Sequence, residues 1–295
     1  MLRKFISQNL MHRLHLFFMI SLFNFNVAVS KSPSISETVL TLSNEMKATE
    51  TVLKEIEPSN VNSVVLLVHG WASQMDEVGG MYKRLAAELA INGIPSLRIN
   101  IRGESEREAT NYRLTSTFKS RITDAQTGLD YLLSRYPKAN IGVVGFSLGG
   151  STTMQLLGAN PQQITSAVFW STAGDPSKLF ANLTEQQRQT VLEKGEITLP
   201  YWVDITITKQ HMLGFDGFDV FTNLKNYQGA LLSIRGTEDF LVSQEEQLLK
   251  SASSNPEEVY LIEGAGHTFN TLDTNSHYDE LVIDKTNQWL VNTLN

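Results

Sequence analysis

From Val64 onward the chain alternates short runs of β-branched and aliphatic residues with longer stretches whose apolar residues return at helical spacing. A strand that is apolar along its whole length must have both faces covered. Crossover helices on a parallel sheet provide that cover. Strands are expected at 64–68, 96–101, 141–146, 165–170, 230–235 and 258–262. Helices are expected at 77–91, closed by Asn92-Gly93, and at 118–136, stopped before Pro137. Further helices are expected at 149–158, 243–251 and 278–294. The fold class is therefore α/β, with a mostly parallel central sheet and helices on both faces.

Two segments depart from this rhythm. Residues 37–46 and 51–56 alternate polar and apolar positions about a short polar turn, the pattern of an antiparallel hairpin at a sheet edge. Between 175 and 227 the periodicity breaks down while Phe180, Tyr201, Trp202, Phe215, Phe218 and Phe221 accumulate. This stretch is expected to be a small cap over the C-terminal edge of the sheet. Its rings either line an apolar pocket or form the cap's own core.

The chemistry concentrates at Gly145-Phe146-Ser147-Leu148-Gly149, which lies directly after an expected strand and directly before an expected helix. A nucleophile on such a sharp turn has strained backbone angles, and small flanking residues let strand and helix approach each other. The helix that follows aims free N–H groups and its positive end at Ser147. The Leu148 N–H is one expected oxyanion donor. The other is the Trp71 N–H, in the loop His69-Gly70-Trp71-Ala72 after an earlier strand. A phosphate-binding loop is excluded, because no Gly-Lys-Ser/Thr follows. His69 is expected to be a buried structural histidine.

A serine hydroxyl needs a base to take its proton. Four histidines follow residue 30: His69, His211, His267 and His277. His211 lies in the cap and His277 at the start of the last helix, whereas His267 follows a strand in a glycine-rich loop. His267 is the candidate base. Asp239, in Gly236-Thr237-Glu238-Asp239 after the strand at 230–235, is the candidate acid that orients it. The chain order Ser147, Asp239, His267 is the one this type of elbow requires.

Composition narrows the partners. The net charge is -7, and no segment supplies the clustered Lys and Arg that nucleic-acid binding needs. There is no cysteine, so disulfides, thiolate catalysis and cysteine-ligated metals are excluded. Arg3, Lys4 and Arg13 precede an apolar run at 14–27 that ends in the small residues Ala28 and Ser30. That is the pattern of a secretory signal peptide at 1–30, cleaved after Ser30 and marking an exported (periplasmic or secreted) chain; an uncleaved N-terminal anchor or an amphipathic tail is the other reading of the segment. The mature domain would be 31–295. No later stretch is long and apolar enough to span a bilayer.

With these residues in view, the chain resembles the α/β-hydrolase superfamily, and within it the bacterial feruloyl or cinnamoyl esterase-like branch. The likeness runs from about Ser63 to the C-terminus. It rests on His69-Gly70-Trp71, the strand and turn at 97–103, the elbow at 145–150, the 236–239 segment and Glu263-Gly264-Ala265-Gly266-His267. The resemblance implies a serine esterase that acts on a small-molecule ester and needs no metal or organic cofactor. The chain departs from the branch at Phe146 and Leu148, where relatives often carry His and Gln, and at Glu104, Ser105 and Glu106 after Arg102-Gly103. A serine peptidase of the same fold, or a binding protein on a hydrolase scaffold, are the other readings of the same residues.

Overall fold

Val64, Leu66 and Val68 pack into one hydrophobic cluster and Val65 and Leu67 into another, so the strand that carries them is buried from both sides. The fold is built outward from it. The computed structural model describes residues 34–53, 57–104 and 112–295. The expected signal peptide and the expected strand end at 54–56 lie outside these residues, as do Ser105 and Glu106.

In chain order the elements are β1 (Ile35–Thr41), β2 (Lys47–Leu53), β3 (Ser63–Val68), α1 (Met81–Ile91), β4 (Ser96–Ile99), β5 (Tyr112–Leu114), α2 (Phe118–Arg135), β6 (Asn140–Phe146), α3 (Leu148–Ala159) and β7 (Ile164–Trp170). They continue with α4 (Glu185–Lys194), β8 (Glu196–Pro200), β9 (Asp204–Thr208), α5 (Lys209–Leu213), β10 (Ala230–Gly236), α6 (Glu245–Ser251), β11 (Glu257–Ile262) and α7 (Tyr278–Leu294).

Among the described residues the main sheet has eight strands in the order β1-β2-β4-β3-β6-β7-β10-β11. The pairs from β4 through β11 are parallel, while β1–β2 and β2–β4 are antiparallel. The expected hairpin is present at the sheet edge, but its turn comes earlier, at Ser43–Glu45. Polar residues Thr49, Glu50 and Thr51 are buried in β2, which removes the alternation that a sequence pattern relies on. Residues of α1 and α7 pack on one face of the sheet, and those of α2 and α3 on the other. Helix α1 begins at Met81 instead of residue 77 because Gly79 and Gly80 have φ of 60° and 67°, which a helix interior does not accept.

The chain leaves β3 towards β4 on one side and returns to β6 on the other. This reversal makes the crevice between the C-terminal ends of β3 and β6 a topological switch point, where open α/β sheets place ligands. Val68 pairs with Gly145 there, so the loop after β3 lies beside the turn after β6.

The aromatic-rich segment is more ordered than its lost periodicity suggests. It contains α4, β8, β9 and α5, and among the described residues β9 joins β8 and β5 in a second sheet of three strands. Strand β5 was not expected; three residues with one exposed position carry too little pattern to show. Phe180 and Phe215 join the main core, while Tyr201 and Trp202 stay at the surface, 46% and 60% exposed.

Candidate active site

Ser147 sits between β6 and α3 with φ 51° and ψ −118°, a conformation L-residues rarely adopt. Such strain costs about 1–3 kcal/mol and persists only where surrounding bonds impose it. Here the Ser147 N–H donates to Trp170 O (2.8 Å), and Ser147 O accepts from Gly150 N (3.0 Å) and Ala173 N (3.1 Å). Close approach of α3 to the loop after β3 needs glycine: a Cβ on Gly149 would lie 2.1 Å from Val68 O and 2.5 Å from His69 O.

The structure brings the three distant candidates together at this edge. Ser147 Oγ lies 3.0 Å from His267 Nε2, and His267 Nδ1 lies 2.9 Å from Asp239 Oδ1. Burial alone would raise the Asp239 carboxyl. The hydrogen bond from His267, the Leu241 N–H and the Arg235 guanidinium hold it below the usual carboxylate range instead. An ionised carboxylate only accepts, so Nδ1 carries the imidazole proton and Nε2 is left to accept from the Ser147 hydroxyl. The Phe146 ring packs 5.2 Å from the His267 ring and the Phe240 ring 4.5 Å from it. The departure at Phe146 therefore supplies an apolar wall beside the imidazole.

The loop after β3 is held by two buried carboxylates. Gly70 N donates to Glu77 Oε2 (2.7 Å) and Ala72 N to Glu104 Oε2 (3.2 Å). Among the described residues neither the intervening Trp71 N–H nor the Leu148 N–H donates to a protein acceptor. His69 is fully buried, donating from Nδ1 to Gly70 O (2.7 Å) and accepting at Nε2 from Ile101 N (3.0 Å). Burial and the Arg121 charge pull its imidazole down to about 4, so it is neutral and structural, as expected.

Sequence reasoning missed the buried Arg235, which donates to Asp239 Oδ2 (2.6 Å), Glu245 Oε1 (2.6 Å) and Thr172 O (2.6 Å). It also missed the Glu104–Arg121 ion pair, whose side chains are fully enclosed. An arginine inside a largely apolar strand was the available signal for Arg235. His277 lies exposed beside Glu280, away from the cluster. Among the described residues no group of three His, Asp or Glu side chains is placed to hold a metal ion, and no helix is long and apolar enough to cross a membrane.

The family described as serine aminopeptidase, S33, matches residues 59–213, just over half of the chain. The chain belongs to this family. The S33 match takes in β3, the elbow and most of the cap segment. A search of curated proteins finds no match by sequence. Among solved structures, Est1E from Butyrivibrio proteoclasticus with ferulic acid bound is similar at 16% identity and a TM-score of 0.68, covering 87% of this chain and 98% of its own. An esterase from Pyrococcus furiosus is similar at 19% identity and a TM-score of 0.60, covering 90% and 93%. A dienelactone hydrolase from Anabaena variabilis is similar at 14% identity and a TM-score of 0.60, covering 90% and 100%. These likenesses establish the α/β-hydrolase fold for this S33 member.

Proposed function

We propose that the chain is a serine hydrolase of carboxylic esters, with Ser147 as nucleophile, His267 as general base and Asp239 as the orienting acid. The observation that carries the reading is the continuous hydrogen-bonded line from Ser147 Oγ through His267 to Asp239. Ser147 Oγ attacks the ester carbonyl carbon as its proton passes to His267 Nε2, and the carbonyl electron pair moves onto oxygen. The Trp71 and Leu148 N–H groups stabilise that oxyanion. Collapse expels the alcohol, which takes its proton from His267, and leaves an acyl group on Ser147. Water then attacks, giving its proton to His267, and the acid departs as Ser147 regains a proton.

Ester cleavage is favoured over aminopeptidase action by what surrounds the serine. An aminopeptidase needs a carboxylate free to hold the substrate ammonium. The buried carboxylates Glu77, Glu104, Asp239 and Glu245 spend their oxygens on protein donors, so none of these four can do so. The rim, by contrast, is aromatic: Tyr201 and Trp202 pack edge-on against Trp71, and Phe240 is 78% exposed beside His267. The similar structures named as esterases support the same choice.

Paired kinetics on p-nitrophenyl esters of graded acyl length and on aminoacyl p-nitroanilides test this reading. Turnover of esters that is lost in Ser147→Ala is expected. Preferential turnover of the anilides would move the assignment to a peptidase. The basic and apolar pattern of residues 1–30 carries the further proposal of export, checked by whether the mature protein begins at Lys31.

A further inference from the structure

Glu104 is one of the positions where the chain departs from the esterase-like pattern, and its carboxylate is buried against Arg121 with both side chains at 0% exposure. A fully enclosed ion pair is a poor way to gain stability, since desolvation offsets the attraction. What the pair's other bonds end on is therefore informative. Arg121 Nη2 donates to His69 O (2.6 Å), and Glu104 Oε2 accepts from Ala72 N (3.2 Å), so the pair grips the loop on both sides of Trp71. Arg121 Nε donates to Thr152 Oγ1 (3.2 Å), which donates to Leu148 O (3.0 Å) in the first turn of α3.

A second line reaches Trp71 from the cap. Ser116 Oγ donates to Glu104 Oε1 (2.5 Å), and His211 Nδ1 donates to Ser116 O (2.7 Å). That leaves His211 Nε2 to accept from the Trp71 indole Nε1 (2.9 Å). The backbone of Trp71 is thus held from the sheet side by an ion pair, and its ring from the cap side by a buried histidine.

We infer that Glu104, Arg121 and His211 are positioning residues that fix the Trp71 peptide for oxyanion binding and couple it to the cap. The inference rests on the oxyanion role proposed above for the Trp71 N–H. Such donors act only when placed about 2.7–3.1 Å from the developing charge. A displacement of about 1 Å is enough to lose on the order of 100-fold in rate.

The test uses Glu104→Gln, which keeps the side-chain shape, and His211→Phe, which keeps a ring against Phe180 and Phe215 but removes the acceptor for the indole. Active sites are titrated with a fluorophosphonate, so that kcat refers to competent serines alone. Each variant is expected to lose about 10- to 100-fold in kcat, with KM within about threefold on the same reasoning. Affinity for phenylboronic acid, which forms a tetrahedral adduct, should fall in step with kcat, while affinity for the product acid should not. Trp71→Phe breaks the same link from the other end, so the Trp71→Phe, His211→Phe double variant should be no slower than the slower single variant. Parental kcat per titrated site and parental boronate affinity in folded His211→Phe and Glu104→Gln, with only thermal stability reduced, would overturn the inference alone. A parent protein without a titratable serine would remove the ester-hydrolase reading and this inference with it.

Discussion

Arg235 Nη1 lies 2.6 Å from Asp239 Oδ2, the carboxylate oxygen turned away from His267, and the two side chains are 3% and 1% exposed. The acid beside the imidazole is therefore itself half of a buried ion pair. Arg235 also meets Glu245 and Thr172 O, so one guanidinium ties the loops after β10 and β7 together.

Removing one partner of a buried pair leaves an uncompensated charge and costs roughly 3–5 kcal/mol. Arg235→Met is accordingly expected to lower the midpoint of thermal unfolding by about 10 °C. With Asp239 Oδ2 released, kcat should fall while KM changes little. Differential scanning calorimetry and ester kinetics check both. Unchanged stability would mean that the pair carries no structural weight.

The protonation pattern around His267 gives a sharper expectation for Asp239→Asn. An amide that turns its NH2 towards Nδ1 forces the imidazole proton onto Nε2, which then cannot accept from Ser147. A loss on the order of 10³- to 10⁴-fold in kcat follows. The variant should remain folded by circular dichroism.

How far the sequence could be read depended on how local the determining chemistry was. The elbow at Ser147 was readable because two glycines and a strand-to-helix change fall within five residues. The placement of His267 beside Ser147 was readable by elimination, since the other histidines fell on the wrong elements. Arg235, Glu104 and Arg121 were not, because a charged residue in a sequence looks solvated until its partner is known. Partners distant in sequence decide it: Thr172 for Arg235, Ala72 and Arg121 for Glu104. Strand β5 escaped for a related reason, as its order comes from pairing with β9 and not from its own three residues.

Burial of His69 has a consequence for acid stability. Its imidazole stands at about 4 in the fold, against about 6.5 when unfolded. Between these values the unfolded chain binds the extra proton, so stability rises with pH across the window and is lost as pH falls through it. The gap from about 6.5 to about 4 amounts to roughly 3 kcal/mol. His211, lowered by burial, acts in the same direction. Glu77, raised by burial, acts in the opposite one. Denaturant midpoints of the parent and His69→Gln between pH 4 and 6.5, a range of about 2.5 pH units, separate these contributions. The parent should show the steeper rise with pH, and equal slopes would contradict a neutral buried His69.

Close packing at the elbow predicts the outcome of adding one methyl group. In Gly149→Ala the new carbon would meet backbone oxygens, which cannot swing aside as a side chain can. Overpacking of this kind costs about 3 kcal/mol or more, and it would part α3 from the loop carrying Trp71. Ester turnover should be lost even at temperatures where the variant stays folded, which activity and circular dichroism measured together will show.

The most direct measurement is mass spectrometry of the protein after reaction with a fluorophosphonate. One phosphonyl adduct is expected, on the peptide carrying Ser147, absent from Ser147→Ala and strongly slowed in His267→Ala. A folded parent protein that takes up no adduct, or takes it up on a different residue, would contradict the assignment of Ser147 as the nucleophile.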